Sequence, residues 1–399
     1  MGWQSALGSR AVFTRTLLAC YAMTAAIHVA SIALNTLLPF HVVALGGTRT
    51  QVGLLFSVMT IVSMVLRPIV GGWVDRVGVR PVIVPGIAAL AVTSVALQLA
   101  GSPQALIVMM MGVGLANGLV ATAAAVLTAR SSSAAHRGEA LGTYYLATAL
   151  SLAVAPPLAF GLRALGGMRL AFGVVTALSL VMLALVSRLP EGADGPGFTG
   201  GGGVKLFSRP ALPASFAMVL ATIGHSSVFA FLPLYAVSRG QGAALAWFFI
   251  VYPTWMIGCR LVLRGVSDRF GHLRVALIAM SLVSLAYLVL ALPPTPASLV
   301  VAAIVLASGS ALHYPTLAAY VVARAPESER GLALGTLSGS WDLGVVVGSI
   351  LIGAVADWLS YGAGFVVGAL SGGLGVAVLA LSAPRAPTAL PSSPPTTGG

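Results

Sequence analysis

One carboxylate, three imidazoles and a set of hydroxyl and aromatic side chains stand inside long apolar runs, where charge and polarity are costly. Asp342 is the most deeply set acid, about 11 residues into the run that follows Arg330. An acid so placed is expensive to ionise without a partner or water, so it is suited to taking up and releasing a proton as its surroundings change. A permanent ion pair or a helix-packing hydrogen bond is the other chemistry open to it. His28, His225 and His313 occupy three further apolar runs. An imidazole titrates near neutral pH without special help, so each is a second candidate for proton coupling, or a hydrogen-bonded structural group. Spread over three runs, they lack the close spacing of metal ligands, and no metal is expected. Thr24, His28, Ser31 and Asn35 follow one another at intervals of 4, 3 and 4, which places them on one helical face. Such a stripe should look into a bundle or cavity rather than into lipid. Tyr144, Tyr145, Phe229, Tyr252, Trp255, Tyr314 and Trp341 are candidates to line the same cavity. This is chemistry for binding an amphipathic molecule and moving a proton. No zinc-protease motif, serine elbow or ATP loop is present, so neither an enzyme nor a cofactor is expected.

The elements that must hold these groups follow from composition. The 399 residues are 58% apolar and only 8% charged, with a net charge of +12. Soluble domains carry about 25% charged residues, and disordered chains lack this much apolar surface. A polytopic helical membrane protein remains. Charged residues mark the breaks between runs of about 20 apolar residues, each enough for one crossing. The first half holds six such runs, including two inside the uncharged stretch 81–129, divided by Gly101-Ser102-Pro103-Gln104. Glu139–Arg163 and Arg169–Arg188 bracket two more. The second half repeats the plan near 211–237, 243–263, 275–292, 297–322, 331–356 and 360–381. With the N-terminus inside, 17 of the 21 basic residues fall on the cytoplasmic side, and only Arg49, Arg163, Arg169 and Arg239 fall outside. That asymmetry makes the basic charge a topology signal, and no nucleic acid is expected as a partner. The expected division is a six-helix bundle over 1–188, a cytoplasmic linker over 189–210, a second bundle over 211–382 and a disordered tail over 383–399. Gly200 to Gly203 in the linker lack the following lysine-serine pair of a phosphate loop. Cys20 and Cys259 lie in apolar runs and suggest buried thiols rather than a disulfide.

The halves are also related residue by residue. Asp75-Arg76-Val77-Gly78 answers Asp268-Arg269-Phe270-Gly271, and Arg137-Gly138 answers Arg330-Gly331, both at an offset of 193. Arg67 and Arg260 precede the two aspartates by eight residues at that same offset. A repeated offset on both sides of a duplicated uncharged stretch indicates duplicated bundles, a plan suited to alternating access around an axial cavity.

At Gly71-Gly72-Trp73-Val74-Asp75-Arg76-Val77-Gly78-Val79-Arg80 the chain resembles the loop between the second and third helices of the major facilitator superfamily. The resemblance spans about 15–382, and Arg264 to Arg274 carry a weaker second copy. Arg137-Gly138 with Pro156-Pro157 resembles the fifth helix of bacterial drug and metabolite exporters, with Pro-Pro where glycine-proline is better known. The fourth run lacks the arginine usual in that family. The resemblance implies that Gly71, Asp75, Arg76, Gly78, Arg80, Arg137, Asp268, Arg269 and Arg330 hold the bundles together at the cytoplasmic side. An aspartate there accepts backbone N–H groups at a helix start, and arginines pin it. Arg67 and Arg260, two turns deeper, either reinforce that gate or face an anionic substrate. The implied function is proton-coupled export of an amphipathic drug or metabolite. The expected setting is the bacterial inner membrane, with both termini cytoplasmic and the chain acting as a monomer among lipids, protons and its cargo. A proton-driven uptake symporter for a sugar, carboxylate or other metabolite shares this architecture, and a receptor or scramblase is a further alternative.

Overall fold

The computed structural model describes residues 15–132, 136–186, 207–263 and 265–382. Gly71, Asp75, Arg137 and Tyr145 are described as backbone only. The expected linker falls almost wholly, and the expected tail wholly, outside the described residues. The first half comprises α1 (Arg15–Ala44), α2 (Arg49–Val77), α3 (Arg80–Leu99), α4 (Pro103–Arg130) and α5 (Arg137–Val186). The second comprises α6 (Leu212–Ile223), α7 (Leu232–Ser238), α8 (Leu245–Val262), α9 (Val266–Phe270), α10 (His272–Ala291), α11 (Pro296–Arg324), α12 (Arg330–Trp358) and α13 (Tyr361–Leu381). No strand occurs among the described residues.

Eleven helical runs among the described residues are long and apolar enough to cross a membrane. One of them, Leu146–Val186, has 41 residues, which is about 60 Å of helix and twice a hydrocarbon core. Gly166 and Gly167 leave helical geometry inside it, Gly167 at φ 70°, so this run is long enough for two crossings and the described residues hold twelve. The break lies between the two segments that Arg163 and Arg169 bracket. The seventh crossing is composite: α6 leads through a π-helical turn over Ser227–Phe231 into α7.

The internal repeat is visible in backbone geometry. Gly78 ends α2 at φ 85° and Gly271 precedes α10 at φ 88°, conformations that side-chain-bearing residues rarely adopt. Ser102 accepts the Ala105 amide at the start of α4, and Thr295 accepts the Ser298 amide at the start of α11. Each pair stands 193 residues apart.

The bundles share a core at one end only. Toward the face where α2 and α12 begin and end at Arg49 and Trp358, one apolar cluster joins Leu34, Phe56 and Phe172 to Phe231 and Ile352. Toward the opposite face, which carries the turns at Gly78 and Gly271 and is called the linker face below, each bundle packs separately. Leu17, Val74, Leu119 and Met182 form one cluster, and Met218, Met280, Leu317 and Leu337 another. Side chains such as Leu99, Val92 and Leu370 cover the outer surface, which suits a lipid-facing exterior.

Candidate functional site

A cavity of about 390 Å³ lies between the bundles. Its floor, on the Arg49–Trp358 side, is sealed by direct contacts. The Asp357 carboxylate, at the end of α12, accepts the Arg49 amide at 2.9 Å, the Thr50 amide at 2.8 Å and the Thr50 hydroxyl at 2.7 Å. It thereby satisfies N–H groups that the start of α2 leaves unpaired. The Arg49 guanidinium donates to the Ala356 carbonyl and lies 4.4 Å from the Tyr361 ring centre. One turn deeper, Gly53 packs directly on the Ser349 carbonyl, and Ser57 donates to the Val346 carbonyl at 2.9 Å. A row of rings, Phe40, Phe160, Phe249 and Phe229, crosses from α5 to α8 with centroids 5.9, 6.4 and 6.5 Å apart. On the linker side one face of α12 is open instead: a side chain added at Gly331, Gly335 or Gly339 would meet no neighbour.

The cavity charges come from one ion pair. Arg67 Nη1 of α2 donates to Asp342 Oδ2 of α12 at 2.5 Å, tying one bundle to the other. The Asp342 side chain is 8% exposed and that of Arg67 43%, so the carboxylate is enclosed while the guanidinium opens into the cavity. The repeat associated Arg67 with the linker-side gate or an anion; its position is in the cavity wall. Arg260, its counterpart at offset 193, is an exposed residue of α8 outside that wall.

The α1 stripe supplies His28, Ser31 and Asn35 to the cavity. His28 Nδ1 lies 2.8 Å from the Thr24 carbonyl; it must donate there, which leaves Nε2 as an acceptor. Ser31 donates to Asn117 Oδ1 of α4 at 2.9 Å. Asn35 Oδ1 is buried without a partner. Thr24 is buried away from the wall.

The second bundle supplies an aromatic wall. The π-helical turn displaces the seventh crossing just where His225 and Phe229 face inward, their rings 5.0 Å apart. Such turns interrupt the regular hydrogen-bond ladder, and the Ser226 hydroxyl donates back to the Ile223 carbonyl at 3.0 Å. Trp341 is packed by His225 at 4.9 Å, by His313 at 5.3 Å and by Tyr314 at 5.9 Å. Tyr252 completes the wall beside Phe249. His313 and Tyr314 therefore stand behind Trp341 rather than in the cavity lining. Two further candidates are elsewhere. Tyr144 is buried and donates to the Ala121 carbonyl at 3.0 Å. Trp255 lies on the flank of α8, where its indole donates to Ser308 at 2.9 Å. Of the residues expected at the gate, Asp268 is exposed, 3.9 Å from His272. Arg269 lies over Phe270, Arg330 pairs with Glu327, and Arg76 is exposed with Arg80 half-buried.

Asn117, Phe249, Met59, Thr60 and Ser63 also line the cavity and were not singled out from the sequence. Asn117 had a signal: it is a strong hydrogen-bonding amide inside an uncharged run, at a depth matching Ser31.

The sequence profile of the Major Facilitator Superfamily matches residues 18–264 and 241–398. An MFS-type transporter of Burkholderia pseudomallei strain 1106a is 27% identical over 349 residues, covering 84% of this chain and 83% of the relative. The staphylopine export protein of Staphylococcus aureus strain Mu50 is 25% identical over 392 residues, covering 94% and 96%. Among solved structures, a D323A mutant of the nucleoside transporter NupG superposes with a TM-score of 0.76 at 15% identity, covering 92% of this chain and 99% of that one.

Proposed function

The chain belongs to the Major Facilitator Superfamily, and from that premise we propose that it is a proton-coupled secondary transporter that exports an amphipathic metabolite by alternating access. The observation that carries this reading is the Arg67–Asp342 ion pair, which joins the two bundles across the cavity. The carboxylate of the pair is enclosed and the guanidinium half-exposed, so losing the pair costs less than the roughly 3–5 kcal/mol of a fully buried one. A proton arriving at Asp342 neutralises the carboxylate and frees Arg67, so α2 and α12 lose one tie at mid-height. That changes the relative free energies of the two access states. The other titratable groups at the cavity are His28 and His225, with His313 behind Trp341.

The excess of basic residues on the linker face supports a cytoplasmic linker face with both termini inside. In that orientation the described state is sealed outside and receives cargo from the cytoplasm. A relative that bears the name of an export protein supports the outward direction. When the linker face closes, the two Asp-Arg-x-Gly turns, Arg137 and Arg330 meet across the bundle ends. In the described state Asp268 is correspondingly exposed.

The test is D342N in proteoliposomes. Asparagine imitates the neutral acid and cannot exchange the proton. Cargo counterflow should persist while accumulation driven by a pH gradient is lost. Wild-type accumulation in D342N removes Asp342 from the coupling step and leaves His28 and His225 as the groups to replace.

A further inference from the structure

We propose that the cargo is a zwitterion, which enters by replacing both halves of the Arg67–Asp342 pair at once, its carboxylate on Arg67 and its ammonium on Asp342. The inference rests on the transport reading above and adds the chemical class of the cargo. Arg67 and Asp342 carry the charge among the described residues that line the cavity, and they hold each other. Any charged cargo that docks on one must break that bond.

The three charge classes differ in what they leave behind. A cation taking Asp342 strands Arg67, and a guanidinium cannot shed its proton to escape. An anion taking Arg67 strands an enclosed carboxylate unless a proton arrives with it. A molecule bearing both charges leaves neither group alone, since each ion of the pair receives a replacement of opposite sign. Among the uncharged groups of the wall, a neutral His28 presents the acceptor Nε2 because Nδ1 is engaged by Thr24. The Asp342 carboxylate is the acceptor for an ammonium group. Arg67 makes the donor side, with one N–H of its fork engaged and the rest available. Trp341, Phe229 and Tyr252 offer rings against which the apolar body of the cargo packs.

The experiment compares one skeleton in three charge states on the purified full chain. Tryptophan and phenylalanylphenylalanine serve as zwitterions, their N-acetyl derivatives as anions and their methyl esters as cations. Ligand-induced thermal stabilisation is read at a pH where Asp342 is ionised. We expect a zwitterion to bind and its methyl ester to bind about tenfold more weakly, the penalty of stranding a half-exposed guanidinium. The N-acetyl form should fall between them. The double variant R67Q/D342N removes both charges and leaves neither stranded, so it should fold and accept the three forms of one skeleton within about threefold. An ester that binds wild type as tightly as its parent overturns the proposal, as does the absence of binding by every zwitterion. Discrimination unchanged in the double variant overturns it too. If cationic esters bind and their flux still follows a pH gradient through Asp342, the zwitterion assignment fails while the proton-coupled reading stands.

Discussion

Replacing Asp357 should release the seal on the Arg49–Trp358 side and shift the balance between access states. Its carboxylate takes three hydrogen bonds, from the amides of Arg49 and Thr50 and from the Thr50 hydroxyl, at 2.9, 2.8 and 2.7 Å. All three cross from one bundle to the other, so they are lost when this face opens. A hydrogen bond to a charged group contributes about 1.5–3 kcal/mol where it is desolvated. Here the site is only partly buried, the three share one acceptor group, and solvent screens the charge. A combined value of about 2 kcal/mol for D357A is the reasonable discount. It corresponds to roughly a thirtyfold change in the ratio of the two states. D357N keeps one acceptor oxygen and loses the charge, so about half that energy, near fivefold, is expected. Arg49→Ala is the control: the amide donors survive, while the ring contact with Tyr361, the bond to the Ala356 carbonyl and a positive charge near Asp357 are lost. It should shift the ratio less than D357A. The assay is a spin-label distance between G101C and A297C, exposed positions at this face of opposite bundles, in a background with Cys20 and Cys259 replaced. A second, longer distance should grow in the order wild type, R49A, D357N, D357A. A distribution in D357A that matches wild type refutes the seal. So does a fall in thermal stability with no new distance, which would make Asp357 a fold-stabilising cap.

Gly53→Ala places a methyl group against the Ser349 carbonyl. Overpacking of this kind costs about 1–3 kcal/mol, and the same label pair should report the bundles parting; G161A, at a glycine with no neighbour, should leave the distance unchanged. Trp341→Ala removes the ring that His225, His313 and Tyr314 pack around. A loss of about 2 kcal/mol is expected for this partly buried side chain, read by thermal unfolding, and W341F should restore a good part by keeping the contact with His313.

Crossing number and repeat were legible because lipid imposes them. Unpaired charges are costly in the hydrocarbon, so Arg163 and Arg169 flank the turn where Gly166 and Gly167 break the helix. The motif glycines Gly78 and Gly271 share a backbone shape that few other residues adopt. Polar depth was legible for the same reason: Asp342, His28, Ser31 and Asn35 all reach the cavity. Pairing was not. Arg67 sits in a repeated Arg-to-Asp spacing, which ties it to the linker-side turn, yet its partner is 275 residues away. Nothing at Ala149, the position equivalent to Asp342 in the first half, hints at the bond, because the pair breaks the pseudosymmetry. Trp255 shows the limit of helical phase. It follows Tyr252 by three residues, close enough in angle for either face, and packing on Ser308 decides against the cavity. Asp357 looked like an ordinary end-of-helix acid. Its value comes from where α2 starts, which no local pattern reveals.

The same two helices carry the seal, the ion pair and the linker-side turns. Asp357 and Asp342 are 15 residues apart on α12, about 22 Å, and Arg49 and Arg67 are 18 apart on α2, about 27 Å. Between the two tethers, Gly53 on Ser349 and Ser57 on Val346 hold the helices in direct contact. Beyond the ion pair, toward Val77 and Arg330, α12 presents glycines where an added side chain would meet no neighbour. A contact that is close at one end, tied at mid-height and, among the described side chains, open beside the α12 glycines at the other has the form of a lever. Closing the free end on the linker face swings the sealed end apart only if the mid-height tie yields or pivots. On the proposed reading, Arg67 and Asp342 stand where cargo, proton and helix movement meet. A ligand that replaces both charges satisfies the site while removing the direct tie between α2 and α12. In that proposal, occupancy of the cavity becomes a change in the balance between its two ends.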